Sequence, residues 1–302
     1  MIQIMSFRGI VLLGNLIRVI KKIVLVQVPK FVPKFLVLRY WQILSTIQGK
    51  LTGHHYICDI SKYQSTLSNE MYLLSMTDGT LLVQNRSRIS RFIRGKNYAL
   101  NRLVNQYLFK IDITNLKNLV DNVALFDIGA NIGEFCIGVA LSTSKTNIFA
   151  FEPDPIAFEC LKYNILNSDC QDKIKPFSIA LSNETKLQTF YLSTNDADSS
   201  LFQPKEFDSK IDIQCVRGED FMNEARINSI DLLKMDAEGY EPEVLEGFGK
   251  RIQDINFFAI DVGPERDGLD TEELVTQILL NKGAKVSHFT KEGKRKFLNA
   301  NW

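Results

Sequence analysis

From Val123 onward the chain predicts an α/β fold, a mostly parallel sheet with helices on both faces. Three observations predict it. Short apolar runs rich in Val, Ile and Phe alternate with stretches of helical length. A glycine-bearing loop follows the first run. The notable polar residues sit at the ends of runs, where open α/β sheets bind their ligands.

Each element follows in order. VALFDI (123–128) reads as a strand and IGEFCIGVALS (132–142) as a helix. NIFAFE (147–152) is a second strand, followed by the helix PIAFECLKYNILNS (155–168). IKPFSIAL (174–181) is read as one third strand. IDLLKMD (230–236) is a fourth, followed by the helix EPEVLEGF (241–248). INFFAIDV (255–262) is a fifth, followed by TEELVTQILLNKG (271–283) and a last strand near AKVSHF (284–289).

Size and composition bound the rest. The 302 residues, 45% of them hydrophobic, can bury one α/β core and a modest extra module. A net charge of +1 sets up no global field towards nucleic acid. The five cysteines are odd in number and lack a C-x-x-C pair, and the three histidines are too scattered for a typical zinc site. Reduced thiols in a cytoplasmic protein are the simplest expectation, with Cys136 and Cys160 as core residues.

The balanced charge hides an asymmetry. No Asp or Glu precedes Asp59, whereas Arg8, Arg18, Lys21, Lys22, Lys30, Lys34, Arg39 and Lys50 all do. Three parts are therefore expected: a basic, apolar helical extension (1–58), a hairpin and helix lead-in (59–121), and the α/β domain (122–302). Within Met1–Leu44, GIVLLGNLIRVIKKIVLVQV is broken by Arg18, Lys21 and Lys22, so no uncharged run reaches the length of a bilayer span, and no secretory leader is evident. Pro29 and Pro33 stop any helix, and FLVLRYWQIL then resumes the apolar pattern with Tyr40 and Trp41. Two readings stay open. One is a helix lying in an anionic membrane surface, at the inner face of the membrane. The other is a helical cap on the domain or in a homodimer interface.

In the lead-in, EMYLLSMTDGTLLVQ reads as two strands around a turn at Asp78-Gly79. Arg86, Arg88, Arg91, Arg94, Lys96 and Arg102 follow among aromatics. No RNA-binding signature accompanies them, so a solvated helix face or a contact to a substrate phosphate is expected rather than nucleic acid.

The chemistry gathers at strand ends. In FDIGANIGEF, Gly129 and Gly133 flank a short loop before a helix. A dinucleotide loop would read G-x-G-x-x-G, and here Asn131 stands where the second glycine would be. Asp127, just before the loop, opposes a pyrophosphate but suits a cation such as the amino group of S-adenosylmethionine. Glu152 ends the second strand, about 20 residues on, where a carboxylate can accept both ribose hydroxyls. Asp154 is expected to cap the next helix. Ile179–Asn183 ends the third strand, where Ala180, Ser182 or Asn183 would meet an adenine edge. Lys234, Asp236 and Glu238 alternate through the end of the fourth strand and share a face if it stays extended. Three ionisable groups there need partners or a function, and a Lys234–Glu238 ion pair is one way to supply partners.

FDIGANIGEF, FEPDP and IDLLKMDAEGYEPEVLEGF together resemble the FkbM family of methyltransferases. DADSSLF (196–202) and CVRGEDFM (215–222) resemble that family's middle region. The resemblance covers roughly Leu73 to Ser287. It implies a Rossmann-like seven-stranded domain, S-adenosylmethionine as donor, and O-methylation of a hydroxyl on a sugar or polyketide-derived compound, here expected to be a saccharide, glycan or related small molecule. By position it makes Asp127, Gly129 and Gly133 cofactor-loop residues, Glu152 the ribose acid, and Asp236 and Glu238 part of the signature strand end. AIDVGPER departs from the family pattern at the fifth strand, and the basic N-terminal segment lies outside the family core.

In-line transfer needs proximity and a base to take the hydroxyl proton. Asp236 is the first choice, then Glu238, then Asp261. The same three carboxylates could instead gather around a divalent metal such as magnesium. Two rival classes are a catalytically inactive binding protein of the same fold at a membrane and a nucleotide-dependent oxidoreductase. Glu152 with Asp236 weighs against the first, and Asn131 against the second.

Overall fold

The structure, a computed structural model, describes residues 34–108, 123–193, 199–266, 270–290 and 296–302. The extension supplies α1 (Lys34–Thr52), and β1 (Ile57–Lys62), β2 (Tyr72–Met76) and β3 (Gly79–Val83) follow in an antiparallel sheet. The turn predicted at Asp78-Gly79 joins β2 to β3, with Gly79 at φ 125°. A 3-10 helix (Arg86–Phe92) and α2 (Lys96–Tyr107) follow. β1 crosses the boundary expected at 58–59, and α1 packs on this sheet. Trp41 is 2% exposed among Ile57, Leu74 and Phe92. Ser45 accepts from the Ile57 N–H (2.8 Å) and donates to the Ile93 carbonyl (2.6 Å). Trp41 therefore acts as a packing residue. The apolar segment 9–28 lies outside the described residues.

The central sheet contains β4 (Val123–Ile128), β5 (Thr146–Phe151), β6 (Ile174–Phe177), β10 (Ile230–Met235), β11 (Ile255–Asp261), β12 (Lys285–Thr290) and β13 (Lys296–Asn301). Their order is β12-β13-β11-β10-β4-β5-β6, with β13 antiparallel to both neighbours and the other pairings parallel. Strands buried on both faces read as unbroken apolar runs, as VALFDI and INFFAID do. Leu125 joins one core cluster and Phe126 the other. Phe126 lies within 6.4 Å, centroid to centroid, of Phe149, Phe151, Phe221 and Phe248. Helices α3 (Glu134–Ser142), α4 (Pro155–Leu166), α5 (Gly218–Glu224), α6 (Glu241–Gly247) and α7 (Glu272–Asn281) pack around this sheet.

Three parts differ from the sequence reading. IKPFSIAL is two strands, not one: β6 pairs with β5, whereas β7 (Ala180–Ser182) leaves to pair with β9 (Ser209–Arg217). Pro176 is accommodated because β6 is an edge strand, where a missing N–H faces no neighbour. With β8 (Lys186–Leu192), these form a side sheet β7-β9-β8. AKVSHF is not the last strand. β13 follows it and inserts between β12 and β11.

Extension, lead-in and domain share one interior, because Ile132 and Cys160 join the cluster around Trp41, Leu74 and Phe92. Asn164, 1% exposed on α4, accepts from the Leu82 N–H (2.7 Å) and donates to the carbonyls of Leu82 and Ile132 (both 2.9 Å). One buried amide thus ties β3 to the loop after β4. The chain leaves β4 in opposite directions, to β5 on one side and β10 on the other. This reversal opens a crevice at the strands' carboxyl ends.

Candidate active site

The loop after β4 is shaped by its neighbours. Gly129 has φ 68°, and a Cβ there would lie 1.9 Å from the Asp236 carbonyl oxygen. The glycine is therefore required by the signature loop after β10, where the sequence suggested approach to a ligand. Asp236 N–H also donates to the Ile128 carbonyl (3.0 Å), so the two loops are joined through backbone. Asn131 takes the left-handed region (φ 50°), which asparagine tolerates. Its side chain turns back to accept from Ile132 N–H (2.8 Å), and its own N–H donates to Glu152 Oε2 (2.7 Å).

Glu152 is the anchor of the next loop. Its other oxygen accepts from Asp154 N–H (2.8 Å), and the residue is 5% exposed. Burial, reinforced by Asp154, pushes its carboxyl up to about 8. Each carboxylate oxygen carries two lone pairs, so one backbone bond apiece leaves capacity for a diol. Asp154 caps α4, accepting from Ile156 N–H (2.8 Å) and Ala157 N–H (3.2 Å), as its position predicts.

Under the loops lies a buried ion pair. Lys234 Nζ is 2.9 Å from Asp127 Oδ1 and donates to the Gly129 carbonyl (2.9 Å). Burial opposes the ammonium, but Asp127 and Asp236 outweigh it and hold Lys234 above its usual range. Burial also pushes Asp127 upward, against the pull of Lys234. The 2.9 Å contact in a desolvated site is that of a charged pair. Two expectations change here. Asp127 is fully buried, is not among the residues that line the pocket, and meets Lys234 as its charge partner rather than the pocket's interior. Lys234 pairs with Asp127 rather than Glu238. The alternation fails because the strand stops at Met235 and Glu238 turns left-handed, φ 49°.

A pocket opens above. Gly129, Asn131, Glu152, Ala180, Lys234, Asp236 and Glu238 line it, so these expected positions converge. Gly133, Ser182 and Asp261 do not. Gly133 caps α3, wedged against Leu161 and Ile137. Ser182 is buried one residue past the wall and accepts from Gln188 Nε2 (3.0 Å). Asp261 is buried at the end of β11 and is not among the residues that line the pocket, so the three carboxylates do not share its wall. Among the described residues, no group of three or more His, Cys, Asp or Glu could hold a metal ion.

Sequence reasoning missed several wall residues. Tyr107 donates to Asp236 Oδ2 (2.6 Å). Ser199 and Leu201 line the pocket, and Ser199 donates to Asp154 Oδ2 (3.0 Å); Asp196–Asp198 of DADSSLF lie outside the described residues. The basic stretch after β3 is not one face. Arg86, Arg94 and Arg102 are exposed, but Arg88 is buried and meets Glu134 at 3.2 Å, with Arg91 at 3.6 Å. Cys136 and Cys160 are buried with their thiols pushed up by burial, which suits core residues.

The group the resemblance implies fits what is present. A buried carboxylate with spare acceptor capacity ends the second strand of the domain, and the pocket adjoins it. Sheet order, the antiparallel strand next to one edge and this carboxylate define an S-adenosylmethionine-dependent methyltransferase domain. The chain belongs to the FkbM methyltransferase family: residues 127–285, more than half of its length, match the Methyltransferase FkbM domain model, a match that begins later than the Leu73 expected from the resemblance. Hexuronic acid methyltransferase AglP of Haloferax volcanii is 25% identical over 166 residues, covering 55% of this chain and 66%, just under two thirds, of that relative. Methyltransferase sdnD of Sordaria araneosa is 26% identical, covering 55% of this chain and 78% of the relative. 2-O-methyltransferase NoeI of Sinorhizobium fredii is 29% identical, covering 55% and 72%. Family membership implies S-adenosylmethionine as the methyl donor.

Proposed function

We propose that this protein O-methylates a hydroxyl of a saccharide or glycan, with Asp236 as the base. The observation that carries the reading is Asp236 itself, a carboxylate on the pocket wall at the end of β10, beside the cofactor loop. The names of two relatives, a hexuronic acid methyltransferase and a 2-O-methyltransferase, point to the same acceptor class.

When bound, S-adenosylmethionine supplies an electrophilic methyl group. Glu152 would hold the ribose diol, Ile179, Ala180 and Leu181 the adenine, and the Asn131 loop the region between. The chain orients the acceptor hydroxyl, and Asp236 takes its proton as the new O–C bond forms and the old S–C bond breaks. A positioned base contributes about 10²–10⁴-fold. Asp236→Asn should lose turnover on that scale with labelled donor and a panel of uronic-acid and neutral saccharides. Its S-adenosylmethionine affinity should stay within about threefold by calorimetry. Normal turnover of this variant would remove the assignment. Glu238, on the same wall, is the second candidate base.

A second contact is favoured by α1. Leu36, Ile43, Ile47 and Leu51 are all exposed, and helical geometry gathers them within an arc of about 80°. Arg39 and Lys50 lie along one edge of this stripe, and the first 58 residues carry no acid. An apolar stripe edged by cations suits an anionic lipid surface, giving peripheral attachment. Among the described residues, no helix is long and apolar enough to cross a membrane. The stripe predicts co-flotation with anionic liposomes that is lost when its four residues become serine. Equal flotation of both forms rejects the reading.

A further inference from the structure

Asp236 is held from two sides, and one of them lies outside the segment that matches the family. Its backbone is fixed from below, by the bond to Ile128 and by Gly129 against its carbonyl. Its side chain is reached from above by Tyr107, the last residue of α2, twenty residues before the family match begins. The Tyr107 ring is 1% exposed and clamped edge-on by Phe135 (5.6 Å, 74°) and Phe297 (5.2 Å, 82°). Lys234 Nζ sits 5.2 Å from its centroid. A phenol hydroxyl lies on the ring's own flip axis, so a clamped tyrosine delivers its O–H to one fixed point whichever way the ring turns.

We propose that Tyr107 is a positioning residue for methyl transfer, holding the Asp236 carboxylate in the orientation that receives the acceptor's proton. The inference rests on the reading of Asp236 as the base. A hydrogen bond to a carboxylate restricts its rotation, and a base displaced by about 1 Å loses on the order of a hundredfold in rate. Transfer in this chain therefore depends on the lead-in helix as well as on the family's own strand end. The lead-in's fit to the domain, through Asn164 and the Trp41 cluster, becomes part of the catalytic geometry.

Tyr107→Phe is the test, because it removes only the hydroxyl and keeps the ring contacts. With methyl glucuronoside and labelled S-adenosylmethionine, the expected result is a kcat ten- to a hundredfold lower (about) with the acceptor KM and cofactor affinity within about twofold. A readout independent of acceptor is the ¹³Cγ resonance of Asp236 in aspartate-labelled protein, assigned by its loss in Asp236→Asn. Tyr107→Phe should shift it. If that variant melts early, 2,3-difluorotyrosine at 107 keeps the bond with a stronger donor and should shift the resonance the opposite way. An unmoved resonance, or turnover within twofold of the parent, overturns the proposal. Failure of the base reading shows separately, as normal turnover by Asp236→Asn.

Discussion

Replacing Gly129 by alanine tests whether the loops after β4 and β10 are one packed unit. The added Cβ would sit 1.9 Å from the Asp236 carbonyl oxygen, where ordinary contact begins near 3.4 Å. The obstacle is backbone, so no side chain can swing aside, and the loops must part by about 1.5 Å. Alanine at φ 68° adds about 1–2 kcal/mol of backbone strain. Separating the loops also breaks the Asp236–Ile128 hydrogen bond, about 1 kcal/mol, and loosens contacts around the Lys234–Asp127 pair. The total is on the order of 3–5 kcal/mol. Urea unfolding should show that loss in the transition midpoint, and calorimetry should show S-adenosylmethionine binding weakened at least tenfold. A variant within 1 kcal/mol of the parent that binds the donor equally well would refute the coupling, since the clash leaves no cheaper escape.

Two further outcomes follow from buried polar groups. Glu152 titrates near 8 because burial and Asp154 disfavour its charge. A raised carboxyl pKa means the fold loses stability from this group as pH climbs from its usual range through 8, since the unfolded chain gives up that proton first. A diol that binds the carboxylate reverses the preference, so donor affinity should rise about fiftyfold from pH 6 to pH 8, and Glu152→Gln should flatten that rise. An equal rise in the variant would assign it elsewhere. Asn164→Leu removes three buried hydrogen bonds and strands the Leu82 and Ile132 groups, which should cost about 3–5 kcal/mol by denaturant titration. It should also weaken donor binding through the Ile132 loop; a loss below 1 kcal/mol would show that the lead-in docks without it.

Much of the central sheet was legible because strands buried on both faces must be apolar throughout, and VALFDI, NIFAF and INFFAID have no other plausible reading. β8 and β9 were missed, although Ile211, Ile213 and Cys215 alternate with polar residues and carried a period-two signal. β13 gave little warning, since its place depends on β11 and β12 closing around it. At the site, Glu152, Gly129 and Asp236 stand at strand ends, and position along the chain was enough to find them. Asp127, Ser182 and Asp261 stand at equally promising positions and fall outside the pocket, because one residue of strand phase or one loop decides which way a side chain faces.

Sequence alone determined the α/β class, the donor and the family, because these depend on local apolar runs and on residues within a few positions of one another. Only the tertiary structure decided that Lys234 neutralises Asp127, that Gly129 answers to Asp236, and that Tyr107 reaches Asp236 across 129 residues of chain. Such pairings bring together groups far apart in sequence. Their partners are set by how whole elements pack, which no local pattern records.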